Sequence, residues 1–132
     1  MRILLAAIEC TKGDPTANLQ EHARVLEEAA RRDCRIAVFP EMSLSGSAEP
    51  ATQRDWLLPV TSPYVSDLAT LTATHGVAAL FGIAESTDRG VAHITQIMAD
   101  GGAVTGAYRK RHLGDGEEAF TPGDSPALFR LD

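Results

Sequence analysis

The chain has 132 residues, 44% hydrophobic and 23% charged, which is enough for one domain with a real core and ordinary for a soluble globular protein. A formal net charge of -6 and a pI near 5.1 argue against nucleic acid or an anionic membrane as the main partner, because neither attracts an acidic surface. No apolar run approaches the roughly 20 residues of a membrane span, and the opening Ile3–Ile8 run is too short for a secretory signal and meets Glu9, so a cytoplasmic location is expected.

Ile3 to Ile8 is apolar throughout and predicts a strand buried on both faces. Asp14-Pro15 is a helix start, since Asp14 can cap and Pro15 fits the first helical position. The helix is expected to run to about Arg32. It carries Leu19, Ala23, Leu26 and Ala30 on one face, with Glu27–Arg31 and Glu28–Arg32 as i,i+4 pairs on the solvated side. Arg35 to Phe39 is a short apolar strand that stops at Pro40, which cannot donate a ladder hydrogen bond. Strand, helix, strand implies a parallel pair with a right-handed crossover.

Ser47 to Thr61 reads as a long irregular loop in which Trp56, Leu57 and Leu58 pack onto the core. Ser62-Pro63 repeats the cap-then-proline signal. A second helix follows over Tyr64–His75, with Val65, Leu68, Leu71 and Thr72 as its stripe, and Gly76 closes it. Val77–Ala84 is a buried strand, Glu85–Gly90 a polar turn, and Val91–Ala99 a strand with mixed faces. Asp100-Gly101 is a hairpin signal, and Ala103–Tyr108 returns as the partner strand. Gly114–Ser125 is loop, and Ala127–Leu131 opens a further strand. A strand beginning at the last residues implies an incomplete domain.

Glu41 lies just past a strand end, where open α/β sheets place their ligands, and Ser43, Ser45 and Gly46 make a loop that can approach a ligand closely. It reads as a catalytic base or as a surface Glu in a strand-to-loop turn. Lys110 stands between Arg109 and Arg111, and strand alternation sends it to one face and its neighbours to the other. Those neighbouring cations, and burial, are expected to lower its pKa. Either Lys110 points into a site or the cluster is a solvated basic strand end. Together, Glu41 and Lys110 suit activation of a nucleophile and stabilisation of an oxyanion. Glu117 and Glu118 form an acidic turn after Lys110. Cys10 and Cys34 have no metal-ligand spacing and read as buried thiols, while His22, His75 and His93 read as structural and His112 as a loop residue. Gly101-Gly102 is a turn and not a phosphate loop, because no helix start follows it.

The ordered set Asp14, Asn18-Leu19, Phe39-Pro40-Glu41 with Leu44 and Gly46, Asp100-Gly101, Tyr108-Arg109-Lys110-Arg111-His112-Leu113 and Phe120-Thr121-Pro122-Gly123-Asp124 resembles the front half of a nitrilase-superfamily carbon–nitrogen hydrolase. The resemblance spans nearly the whole chain. It implies an α/β fold, with residues 1–132 forming the N-terminal half of an αββα sandwich: a mixed sheet with helices on one face. It places a general base on Glu41, an oxyanion-stabilising lysine on Lys110, and a second glutamate on Glu117, with Glu118 as the alternative. It also implies a cysteine nucleophile that this chain lacks, since Cys10 and Cys34 match no nucleophile position. Gly46-Ser47 and Ala92-His93 depart from the common Gly-Tyr and Tyr-Asn of the family.

The implied activity is amidase-like hydrolysis by a Glu-Lys-Cys triad, on a small amide or nitrile. It needs no metal or organic cofactor and no nucleic-acid or membrane partner, and the enzyme is expected to be a homo-oligomer. The chain alone is expected to be inactive. The competing readings are a non-catalytic remnant or interaction module that needs a partner chain, and a flavodoxin-like nucleotide binder. The latter lacks a glycine-rich turn after its first strand.

Overall fold

The computed structural model describes residues 1–131. Five strands form one mixed sheet in sequence order: β1 (Ile3–Leu5), β2 (Ile36–Val38), β3 (Ala78–Ser86), β4 (Ala92–Asp100) and β5 (Ala103–Arg109). The first three are parallel and the last three antiparallel. Helix α1 (Pro15–Arg31) makes the β1–β2 crossover, and α2 (Pro63–His75) lies between β2 and β3. Among the described residues no helix is long and apolar enough to cross a membrane.

Local chemistry explains the element ends. Asp14 Oδ1 accepts the Ala17 N–H at 3.0 Å and Ser62 Oγ accepts that of Tyr64 at 3.2 Å, each satisfying a donor that its helix leaves open. Gly76 ends α2 with φ 65°, a conformation that costs a residue without Cβ little. Gly101 and Gly102, at φ 58° and 92°, make the two-residue β4–β5 turn.

One core lies between the sheet and the helices. Val25, Leu26 and Ala29 of α1 and Val65, Leu68 and Ala69 of α2 meet Ala37, Phe39, Ala79, Phe81, Ile83, Ile97 and Ala99. These are alternate residues along the strands, so both helices cover the same face, as the expected fold class requires. On the opposite face Ile36, Ala78 and Met98 form a thinner cluster with Val38, Leu80, Phe129 and Leu131.

Several expectations need correction. β1 is three residues long, and its face alternates: Ile3 and Leu5 are 51% and 78% exposed, while Leu4 packs on the core. It is an edge strand covered on one side, so continuous hydrophobicity did not mean two-sided burial. Glu85 belongs to β3 and not to the turn after it. Ala127–Leu131 form no strand; Phe129 lies over Gly106 and Leu128 is 98% exposed. Leu58 is in the core as expected, and Trp56 and Leu57 pack on a second cluster beside it. Arg31 pairs with Glu28 rather than Glu27, and Arg32 shares the same carboxylate at 2.5 Å. Cys10 and Cys34 are partly rather than fully buried.

Candidate active site

Glu41 and Lys110 are 69 residues apart in sequence, and the sheet brings them together. Phe39 donates its N–H to Leu80 O at 2.8 Å, which keeps β2 beside β3 up to Pro40. Glu41 and Met42 then bulge over the face away from the helices, and Ser43 and Leu44 return to the helix side. Ser43 N–H bonds Pro40 O at 3.2 Å and Leu44 N–H bonds Gly82 O at 2.9 Å. Lys110 continues β5 by one residue. Its N–H bonds Ile94 O at 2.8 Å, and its carbonyl accepts Gly123 N–H at 2.9 Å. Both backbones are therefore fixed before any side chain is considered.

Lys110 Nζ lies 3.0 Å from Glu41 Oε1 and 2.8 Å from Glu117 Oε1. The hydrogen bond that Lys110 donates to Glu117, and then the one it donates to Glu41, raises the lysine above its ordinary value. The expected lowering by its arginine neighbours does not occur. Arg109 turns to the other face and neutralises itself against Glu85, and the carboxylates face Lys110 instead. Lys110 is thus an ammonium throughout the neutral range.

The two glutamates are held differently. Glu117 commits both oxygens: Oε1 to Lys110, and Oε2 to the Gly114 N–H at 2.7 Å. The Lys110 hydrogen bond, then that of Gly114, lowers its carboxyl below the usual value. Its loop is anchored by buried Phe120, whose N–H bonds Glu117 O at 2.9 Å, and by Thr121 N–H to Ala92 O at 2.8 Å. Glu41 is bonded through Oε1 alone, and among the described residues Oε2 has no partner. Its side chain is 46% exposed. Glu118 does not reach Lys110; its Oε1 takes the Gly116 N–H at 3.1 Å.

A hollow of about 230 Å³ opens beside the pair, lined by Glu41, Ile94, Gln96, Tyr108 and Lys110. Neither cysteine lines it. Ile94 and Gln96 were not singled out in the sequence. Their signal was alternation along β4, which puts 94 and 96 on one face and leaves a polar Gln in an apolar strand. A larger hollow of about 510 Å³ includes His93, Arg109 and Asp124 and contains neither Glu41 nor Lys110. His93 is tied there through Nδ1 to Thr121 O at 2.7 Å, which fits a structural histidine. Among the described residues no three His, Cys, Asp or Glu side chains are grouped to hold a metal ion.

Beneath the Glu41 turn lies a polar network that periodicity did not show. Asn18 and His22 are buried on α1, where the predicted stripe had Leu19 and Ala23. Asn18 Nδ2 donates to Thr11 O and Leu44 O at 2.8 and 3.0 Å, and its Oδ1 accepts Thr11 N–H at 2.7 Å. Ser45 Oγ accepts Ala84 N–H at 2.8 Å.

The carbon–nitrogen hydrolase family model matches residues 4–130. The chain belongs to the carbon–nitrogen hydrolase family. It is 31% identical to a glutamine-dependent NAD(+) synthetase of Thermotoga maritima over 99% of its own length and 23% of that protein. It is 29% identical to a synthetase of the same name from Xylella fastidiosa, over 86% and 21%. An amidase from Nesterenkonia sp. superposes with a TM-score of 0.80 at 25% identity, covering 96% of this chain and 49% of that one. A CN-hydrolase superfamily protein from Xanthomonas campestris shares the fold, with a TM-score of 0.80 at 23% identity over 95% and 47%. The chain therefore spans about a quarter of the curated relatives it matches and about half of these solved structures. The nitrilase-superfamily resemblance and its mixed sheet with helices on one face are both borne out.

Proposed function

We propose that this carbon–nitrogen hydrolase chain supplies the general base, Glu41, and the oxyanion-stabilising cation, Lys110, of an amide-cleaving site. The observation that carries the reading is Lys110 Nζ bridging Glu41 Oε1 and Glu117 Oε1 beside an open hollow. A carboxylate with a free oxygen can take a proton, and one with both oxygens bonded serves better as a brace. Glu41 is thus the base and Glu117 the residue that fixes Lys110. With two of its three N–H groups on carboxylates, Lys110 keeps one to donate to a developing oxyanion.

In the proposed reaction Glu41 accepts the proton of a cysteine thiol. The thiolate attacks the carbonyl carbon, and the tetrahedral oxyanion is held by Lys110. The C–N bond breaks as the proton passes from Glu41 to the leaving nitrogen, leaving a thioester. Glu41 then takes a proton from water, which attacks the thioester; the C–S bond breaks and Glu41 returns the proton to the departing thiolate, releasing the acid and the thiol. Cys10 and Cys34 lie outside the hollow, so the thiol comes from sequence other than these residues. The names of an amidase and of glutamine-dependent synthetases among the similar proteins favour an amide over a nitrile.

The test is turnover of a panel of small amides, including glutamine, and of nitriles by the complete protein that carries this chain. Glu41→Gln and Lys110→Ala should each reduce kcat on the order of 10² to 10³ or more with the fold retained. Near-normal kcat in either folded variant overturns the assignment.

A further inference from the structure

His22 is fully buried on the apolar face of α1, beside Leu26 and Ala29. A polar ring there is costly unless both nitrogens are bonded. Both are. Nδ1 lies 2.6 Å from Asn18 O and Nε2 lies 3.0 Å from Ser43 Oγ. A carbonyl only accepts, so Nδ1 carries the proton, and Nε2 then accepts from the Ser43 hydroxyl. Ser43 Oγ in turn accepts the Gly82 N–H at 3.3 Å. Each hydrogen has one place to go. The ring also stacks on Phe39, with centroids 4.2 Å apart.

Ser43 is two residues beyond Glu41. Between them Met42 has φ 53°, a left-handed conformation that a residue with a Cβ adopts only when its surroundings hold it there. The surroundings can be named. Gly82 offers no side chain, so the Met42 amide sits directly on its Cα. Gly82 bonds the turn on both sides, N–H to Ser43 Oγ and C=O from Leu44 N–H. His22 fixes the Ser43 hydroxyl from below.

We propose that His22 is a positioning residue for Glu41: acting through Ser43, it holds the left-handed Met42 turn that aims the Glu41 carboxylate at Lys110. This rests on the reading of Glu41 as the base, and it assigns a role in the site to a buried group otherwise read as structural. Burial keeps the ring neutral, with its pKa lowered to about 4, as the acceptor role of Nε2 requires.

The Lys110 ammonium reports on the arrangement without any need for turnover, because Glu41 is one of the two groups that raise it. Its titration, followed by NMR at the Cε carbon of the 132-residue chain, is compared across four variants. Glu41→Gln should lower the midpoint toward the ordinary lysine value. His22→Phe keeps a ring on Phe39 but loses the acceptor, and Ser43→Ala removes the hydroxyl; each should lower the midpoint in the same direction, with the β3–β5 amide spectrum unchanged. His22→Gln, whose Oε1 can reach the place of Nε2, should restore it.

Folded His22→Phe and Ser43→Ala chains with the wild-type midpoint overturn the proposal. Should His22→Phe not fold, Ser43→Ala decides by itself. A Glu41→Gln chain with an unmoved midpoint is a different failure: it removes the Glu41–Lys110 pair, and the base assignment with it.

Discussion

Arg109 clasps Glu85 with both ends of its guanidinium, Nε to Oε2 at 2.8 Å and Nη2 to Oε1 at 2.6 Å, on the sheet face opposite the adjacent Lys110. The Glu85 side chain is 4% exposed and also accepts from Thr95 Oγ1 at 2.6 Å. Burial alone would raise this carboxyl, but the hydrogen bonds from Arg109 and Thr95 outweigh it and hold the value below normal. The pair consumes the charge that would otherwise sit beside Lys110.

Removing either partner should therefore destabilise the fold, and unequally. Arg109→Met leaves a buried carboxylate with only Thr95, at a cost of roughly 3 kcal/mol. Glu85→Gln leaves a half-exposed guanidinium that water can solvate, and should cost clearly less. Urea unfolding of the two variants checks this ranking. Equal midpoints would show that the pair is no more than a surface contact.

Gly82→Ala should be costly although it adds one carbon. An added Cβ would fall on Met42 N and within 2.7 Å of Gln96 Oε1. The backbone contact cannot rotate away, so the turn must lift, for about 1–3 kcal/mol. Thermal unfolding gives the stability loss. A crystal structure of the variant should show the Glu41 turn displaced; an unmoved turn with full stability refutes the argument.

Glu117→Gln tests the difference between the two glutamates. It keeps the shape but weakens the charge-assisted bond to Lys110 and loosens the Gly114 contact. In the complete hydrolase kcat should fall on the order of 10- to 100-fold through misplacement of Lys110. That is a smaller loss than Glu41→Gln should give. A loss equal to or greater than that of Glu41→Gln would mean that Glu117, not Glu41, moves the proton.

Acid should weaken the fold through His22. Its pKa is lowered from the ordinary 6.5 to about 4 by burial, against the opposing pull of the Asn18 carbonyl and of Glu21. Between those values the unfolded chain binds a proton that the folded chain refuses. Stability from this group is thus complete above pH 6.5 and declines as pH falls toward 4, by roughly 3 kcal/mol in all. Glu85, whose carboxyl is lowered instead, adds its own loss only below about its ordinary 4.5. Denaturant unfolding of wild type and His22→Gln isolates the histidine. The difference between them should shrink from pH 7 to pH 4, and a constant difference contradicts the assignment.

Local signals were legible where they act locally. Asp14, Ser62, Gly76 and the Asp100-Gly101 turn place caps and turns through short hydrogen bonds or a positive φ, and all appear where expected. Alternation around Lys110 separated it correctly from Arg109. Three features were not legible. The buried stripe of α1 includes Asn18 and His22, polar residues that a hydrophobic pattern skips. One-sided burial of β1 depends on which strands lie beside it. The Lys110 pKa direction depended on Glu41 and Glu117, which approach from elsewhere in the chain and outweigh the neighbours in sequence.

The sheet runs parallel through β3 and antiparallel after it, and the Glu41–Lys110 contact spans that reversal. Joining residues 69 apart carries a loop-closure cost that no local helix or hairpin can offset in advance. The contact can be made only once β2, β3, β4 and β5 are all aligned. In refolding experiments the Lys110 environment should accordingly mature after helix formation, making it a clock for completion of the sheet.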